Sequence, residues 1–432
     1  MLAGNQQISE IGVELAANSP RYDFVPKSSQ QLDDEYSVFT GTDEVFKLGS
    51  TGIQTSRDAY VTDFDREALV QRFVEFCNSN VSNDFLRKQY GLEDGRNWKL
   101  ADARMKLRKD KDWRRKIVKC HFRPLDYRWM LYHSSVINWP RPEVMPHMLG
   151  PNVALVVPRN YQAGYFDAAL VSRFITEVKL GESTRGSYCF PLYTLSEKDL
   201  FESPKTKRSP NISDLILNRL LQPLSLVFIT NGQGDLERTL GPEGILAYIY
   251  AILYSNEYRK RYSEFIKNGF PRVPLTCTRE LFGAFARLGN ELVALHLMES
   301  PKLEKHLTKF VGKSDNEVAK VRYEDETVWI NSVQGFQGVV EDVWNFHIGG
   351  YQVCEKWLKD RRGRVLSDDD ITHYHKIVVA ISETIRLMAE IDKVIEKHGG
   401  WPNAFISSKE ANQRPSTKTM LGASEEKKDA KI

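Results

Sequence analysis

Residues 348–365 read IGGYQVCEKWLKDRRGRV. Tyr351, Cys354, Trp357 and Leu358 recur at three- and four-residue spacing, which places them on one side of a helical segment and marks that side as buried. Lys356, Lys359, Arg361, Arg362 and Arg364 lie between and after them. The segment therefore combines an apolar face with a basic patch around Trp357. The patch fits two roles, a clamp on a polyanion or the solvated face of a helix and its turn.

Working outward, Ser367 offers an N-cap, and Asp368, Asp369 and Asp370 suit the positive end of a helix dipole. Ile371, Ile377, Val378, Ile381, Ile385, Met388, Ile391 and Ile395 then form one apolar stripe, which Gly399 and Gly400 stop. Residues 242–269 and 279–299 also carry helical periodicity, with Pro271 and Pro274 breaking the chain between them. TVWIN at 327–331 reads as a short strand. Further upstream, VALVV at 153–157 and LSLVFIT at 224–230 read as buried strands, and FDREALVQRFVEFCN at 64–78 reads as a helix. The fold class expected is mixed α+β, in two or three domains for 432 residues.

Composition narrows the function. A chain that is 41% hydrophobic and 27% charged is ordinary for a globular protein. No apolar run approaches the ~20 residues that span a bilayer, and the N-terminus lacks a signal-peptide pattern. Five cysteines, none in a CxxC pair, argue against a zinc ribbon or a disulfide framework and fit a reducing cytoplasm. Net charge is only +3, but residues 99–128 hold twelve Lys or Arg and four Asp. That window carries about +8 and leaves the rest slightly acidic, which reads either as the electrostatic footprint of a polyanion binder or as a solvated helix face.

Several chemistries lack their residues. No adjacent proline pair exists to form the (N/D/S)PP(Y/F) element with which an amino-methyltransferase holds a flipped base. Gly232-Gln233-Gly234 after LSLVFIT is a lone GxG, open to reading as a cofactor turn or as a turn that closes a strand. There is no GxxxxGK(S/T) phosphate loop and no PD-(D/E)xK nuclease core. His373 and His375, two residues apart on a helix, point to different faces and suit no shared metal. No catalytic, cofactor-binding or metal-binding residue is assigned.

Certain blocks resemble a known family. Gly52-Ile53-Gln54-Thr55-Ser56-Arg57-Asp58 is similar to the GIxTGRD element that opens the target-recognition region of many adenine-specific DNA methyltransferases, with Ser56 in place of its second glycine. Arg123-Pro124-Leu125-Asp126-Tyr127-Arg128-Trp129 resembles the RPFDxRW element. Asn138-Trp139-Pro140-Arg141-Pro142 and Val156-Val157-Pro158-Arg159 follow in the expected order, and residues 270–275 resemble the exit into a helix seen in type I specificity subunits. The 348–365 block resembles the IGGYQVxxKWLKDRKGR signature of type ISP restriction-modification enzymes. The resemblance covers about residues 45–396. It implies a target-recognition region that reads double-stranded DNA, with nuclease, ATP-driven translocase and adenine-N6 methyltransferase supplied in cis or in trans. S-adenosylmethionine, ATP and magnesium are implied for the full-length family, and none for this chain.

On that resemblance, residues 1–45 read as a linker or remnant after a missing methyltransferase core. Residues 46–300 read as the recognition domain, 301–404 as its helical C-terminal part, and 405–432 as a disordered tail. The candidate DNA contacts are Arg57, Lys106, Arg108, Lys109, Lys111, Arg114, Arg115, Lys116, Lys119, Arg123, Arg128, Arg141, Arg159, Lys356, Lys359, Arg361 and Arg362. Lys and Arg neutralise phosphates, and the arginine fork suits guanine. Asp58 and Asp126 are near enough in sequence to pair with these arginines instead. Trp113, Tyr127 and Trp129 are read either as sugar-packing wedges or as core. Two other readings stay open, a divergent methyltransferase using the Gly232–Gly234 turn and a helical scaffold that assembles with a methyltransferase subunit.

Overall fold

A computed structural model describes residues 30–161, 166–195, 208–276 and 278–405. Its first core is organised by the antiparallel hairpin of Ile117–Arg123 and Asp126–Leu131. Pro124 and Leu125 make the turn, Leu125 at φ +56°. Proline presets the first turn position, and the second is left-handed. Thr62–Asp63 extends the sheet on one side and Ile175–Thr176, parallel, on the other. Helices Arg66–Cys77, Asn83–Tyr90 and Leu100–Lys109 contribute Leu69, Phe73, Phe76, Leu86, Leu100 and Leu107 to one cluster with Cys120 and Met130. Asp65 and Ser82 cap the first two helices by accepting from the Ala68 and Phe85 amides.

A second sheet is fully antiparallel, in the order Ser50–Thr51, Ser187–Pro191, Ala154–Pro158, Leu170–Ser172. Every residue of Ala154–Pro158 is buried, as its uninterrupted apolar run implies. This sheet shares the second, larger core with helices Pro242–Leu253, Arg279–His296 and Asp368–Lys397. The first of these is buried at every position except Glu243, as a helix apolar on all sides must be. The last begins with a reciprocal Ser367–Asp370 capping box. Near its start Tyr374 packs on Phe336 of a small antiparallel sheet, ordered Lys309–Val311, Gly335–Gln337, Thr327–Trp329, Arg322–Glu324.

The mixed α+β class agrees with the sequence reading, and the helices at 64–78, 279–299 and 368–397 lie where periodicity put them. Other elements differ. Residues 224–230 are not a buried strand. Helix Asp214–Leu224 takes the start of the run and ends at Ser225 in the left-handed region. Only Val227–Phe228 pairs, with Thr239–Leu240, and Val227 is 67% exposed. Within the segment read as linker, Gln30–Ser37 is helical and Thr40–Gly41 pairs with Arg272–Val273. Tyr36 and Phe39 anchor it against the Tyr262 ring, an aromatic signal hidden among proline, serine and acidic neighbours. Residues 1–29 and 406–432, and Cys277, lie outside the described residues.

Candidate nucleic-acid interface

The basic window divides by what each element buries. Helix Leu100–Lys109 turns Leu100, Ala103, Arg104 and Leu107 inward, so Lys106 and Lys109 face solvent. Lys111, Arg114, Arg115 and Lys119 are exposed as well. Arg104 was not among the candidates. It is buried and bonds the Phe76, Asn78 and Val81 carbonyls. Arg108 uses Nε and Nη2 on the Cys77 and Asn78 carbonyls, at 2.7 and 3.2 Å. Lys116 donates to Asp110 at 2.6 Å, and that bond holds the Asp110 carboxyl below the usual carboxylate range. Arg115 lies 3.9 Å from Asp112. The Arg114 guanidinium lies over the buried Trp113 ring. Lys119 stands opposite Trp129 in register, its ammonium 5.7 Å from that ring. The result is a run of exposed cations between residues 106 and 119, among and beside which Arg104 and Arg108 are tied to backbone carbonyls and Lys116 is paired with Asp110.

The arginines of the matched motifs have a different situation. Arg57 donates from Nη1 to Asn138 Oδ1 at 2.9 Å and lies 3.7 Å over Trp98. Asp58 hydrogen-bonds Thr55 rather than pairing with Arg57. Arg123 pairs with Glu177, both largely buried. Arg128 bonds Asp126 at 3.2 Å and Asp360 at 2.9 Å. Arg361, 6% exposed, bonds Asp126 at 2.8 Å and the Trp357 carbonyl at 3.1 Å. Burial pushes the Asp126 carboxyl up, but Arg361 and Arg128 together outweigh it and hold it below the usual range. Lys356 pairs with Asp360 and Lys359 with Glu355. Arg362 is exposed, as is Arg159 after strand Ala154–Pro158. Arg364, also exposed, lies 4.4 Å over Phe64. Arg141, half-buried and at φ +55°, lies 5.4 Å over Trp139.

The motif blocks, distant in sequence, therefore meet. His373 Nε2 is 2.8 Å from the Leu125 carbonyl at the hairpin turn, while His375 Nδ1 is 2.6 Å from Thr308 Oγ1, so the two imidazoles serve different neighbours. The glycines of IGGY approach the loop at 179–183. The Gly349 amide donates to Asp167 at 2.9 Å, the Tyr351 hydroxyl to the Lys179 carbonyl at 2.9 Å. A Cβ on Gly349 would lie 2.2 Å from the Gly181 carbonyl oxygen. Trp113 is buried, and Tyr127 and Trp129 are partly buried. Tyr127 packs on His121 and His373. Sequence reasoning missed the counter-ions Glu177 and Asp360 and the 53%-exposed Trp139. Only an acidic residue amid the 356–364 cations signalled Asp360, and nothing local signalled the exposure of Trp139.

Gly232 and Gly234, both at positive φ, lie in the connection between strands Val227–Phe228 and Thr239–Leu240. The Asp235 carboxylate already accepts the Glu237, Arg238 and Thr239 amides at 2.7–3.0 Å, and those three bonds depress its pKa. The Gly232 amide is likewise taken up, donating to the Tyr193 hydroxyl at 3.1 Å. Among the described residues no group of three His, Cys, Asp or Glu side chains is placed to hold a metal ion, and no helix is long and apolar enough to cross a membrane.

The fold and this surface define a mixed α+β domain that presents cations beside its first core and ties that core to the second through Arg128 and Arg361. The Type ISP C-terminal specificity domain family matches residues 44–390, and the chain belongs to that family. Its fold is similar to three solved structures. One is a DrdV–DNA complex, with TM-score 0.62 and 19% identity over 80% of this chain and 36% of that one. Another is the ATP-dependent Type ISP restriction-modification enzyme LlaBIII bound to DNA, with TM-score 0.61 and 17% identity over 84% and 24%. The third is a nuclease-deletion mutant of the Type ISP enzyme LlaGI with a DNA substrate mimic, with TM-score 0.57 and 16% identity over 83% and 29%. The match thus involves a quarter to about a third of each of those chains. No curated protein matches the chain.

Proposed function

We propose that this chain is the double-stranded DNA target-recognition module of a type ISP restriction-modification system. The observation that carries the reading is the line of exposed cations Lys106, Lys109, Lys111, Arg114, Arg115 and Lys119 on a Type ISP specificity-domain fold. These side chains neutralise phosphates and set the register of the duplex. Arg159 and Arg362 extend the contact. Arg128 and Arg361 act one step back, tying the two cores together so that the surface keeps one shape. The likeness to DrdV, LlaBIII and LlaGI, each solved with DNA or a substrate mimic, supports the same partner. Adenine-N6 methylation and ATP-driven restriction in the cytoplasm, with S-adenosylmethionine, ATP and magnesium, fall to parts supplied in cis or in trans.

The test is duplex binding by this chain across a salt series, without S-adenosylmethionine or ATP. With about six phosphate contacts, log K against log salt should slope at about −5. A flat response overturns the reading. Stable assembly with a methyltransferase subunit and no duplex binding would favour the scaffold instead.

A further inference from the structure

We propose that the loop Asn138–Arg141 is a second DNA-contacting element, in which Trp139 wedges into a base step that the bound duplex opens and stacks on the exposed base face, while Arg141 reaches the adjoining phosphate. The inference rests on the DNA-recognition reading above and adds a contact that the cation line does not supply.

Trp139 stands 53% exposed, whereas Trp98, Trp113, Trp344 and Trp357 are each buried to 9% or less. An indole ring gains much by burial, so one held out in solvent calls for a reason. This ring is held out by construction. The Trp139 amide donates to the Gln54 carbonyl at 3.0 Å, and the Gln54 amide returns a bond to the Trp139 carbonyl at 3.2 Å. Asn138 Nδ2 donates to Ser56 Oγ at 2.9 Å and Asn138 Oδ1 accepts from Arg57 at 2.9 Å. The Tyr132 hydroxyl donates to the Pro140 carbonyl at 2.9 Å. Pro140 and Pro142 fix two further backbone angles. Such a platform loses little freedom on binding, which is what a stacking contact needs.

Arg141 supplies a second observation. It sits at φ +55°, a left-handed conformation costly for a side chain of its size. Its Nε is buried and has no hydrogen-bond partner among the described residues. Its guanidinium lies 5.4 Å over the Trp139 ring, so the cation travels with the aromatic face. The strained backbone thus holds beside the ring a side chain whose Nε no neighbour among the described residues claims.

The position supplies a third. Tyr132, whose hydroxyl grips Pro140, donates its amide to the Lys116 carbonyl at 2.8 Å. Its neighbour His133 lies 3.2 Å from Asp110, the partner of Lys116. One residue therefore connects the Trp139 loop to the turn that carries Lys111, Arg114 and Arg115. The loop and the turn that bears the cations are thus tied to opposite ends of the same residue, Tyr132. On a duplex, an aromatic or apolar wedge accompanied by cations is the arrangement that opens a base step while holding the flanking phosphates.

The probe is a fluorescent random-sequence duplex pool, from which the wild-type chain selects its bound sequences. One selected duplex is then titrated with wild type, Trp139→Ala, Trp139→Phe and Arg141→Ala. We expect Trp139→Ala to weaken binding about ten- to a hundredfold with an unchanged salt slope, because no phosphate contact is removed. Trp139→Phe should recover most of the loss, and Arg141→Ala should reduce the slope by about one. Thermal midpoints of the Trp139 variants should match wild type, the side chain being in solvent. Wild-type affinity and the same selected sequences for Trp139→Ala overturn the inference while leaving the DNA reading intact. So does an affinity loss with a shallower salt slope, which would assign the effect to phosphate contacts. If wild type captures no duplex, the underlying reading falls and this one with it.

Discussion

Asp126 and Arg361 are 235 residues apart in the chain and joined by a 2.8 Å ion pair, the carboxylate side chain 1% exposed and the guanidinium 6%. Asp126 sits just past the hairpin turn of the first lobe, and Arg361 follows helix Val353–Lys359 of the second. Arg128, bonded to both Asp126 and Asp360, completes the crossing. The two motifs that most mark the family are thus one structural joint. Arg361→Met should destabilise the fold by about 3–5 kcal/mol, since removing one partner weakens the compensation of a buried charge. Asp126→Asn should cost a comparable amount. Urea unfolding reads this directly, and a change under about 1 kcal/mol would count against the joint.

Exposed and buried cations should separate cleanly in binding. Lys109, Lys111 and Arg115 are surface residues, so replacing all three by Ala should leave stability within about 0.5 kcal/mol per site. The salt slope of duplex binding should fall in magnitude by about 2.7, at about 0.9 per lost phosphate contact. Arg123→Ala should do the reverse, lowering the unfolding midpoint while leaving the slope of the folded protein near wild type. Equal slopes for the triple variant and wild type would place the duplex elsewhere.

Helix Arg279–His296 touches helix Pro242–Leu253 backbone to backbone at Gly289. A Cβ there would lie 1.9 Å from the Ala247 carbonyl oxygen, and the contact is with main chain, which has no rotamer to yield. Gly289→Ala should therefore cost about 2–3 kcal/mol despite its better helix propensity. A thermal midpoint at or above wild type would show that the helices can separate.

Acid should weaken the protein well above the carboxylate range. His121 and His296 are both buried, and burial pulls each imidazole down to about 3. Arg259 adds to the fall at His296, while Asp126 opposes it at His121. Tyr250 and Thr384 hydrogen-bond the His296 ring. The unfolded chain binds protons near pH 6.5 and the folded one does not, so stability is full above about 6.5 and falls as pH drops toward 3. At about pH 5 each histidine should cost roughly 2 kcal/mol. The Asp126 contribution is still intact there, because a depressed carboxyl loses its effect only below the ordinary carboxylate range. Urea unfolding at neutral pH and at about pH 5 should differ accordingly, and His296→Gln should shrink the difference. A flat profile would contradict two neutral, buried imidazoles.

Much of the fold was legible because its signals are local. Ser367 with Asp370 three residues on, and the isoleucine stripe behind them, specify a helix start and a buried face without reference to anything distant. The apolar run at 153–157 likewise marks a central strand. The run at 224–230 misled because periodicity cannot distinguish a helix end followed by an edge bridge from a short buried strand. The helix Gln30–Ser37 was obscured because its support comes from Tyr262, more than two hundred residues away.

For the site, the sequence alone determined the family, the charge of the 99–128 window and the absence of the methyltransferase proline motif and the phosphate loop. Those depend on residue identity and spacing, which chain order preserves. Tertiary structure decided which cations face water. Lys109 and Arg104 differ in nothing a charge count can detect, yet one is solvated and the other bonds three carbonyls beneath the surface. Arg128 and Arg361 read as DNA contacts in sequence and are internal ties in space: Asp126 was legible as a local partner of Arg128, but Asp360 for Arg128 and Asp126 for Arg361 arrive from the far side of the chain. Desolvation and partner choice are properties of the assembled core, and no window of sequence contains them.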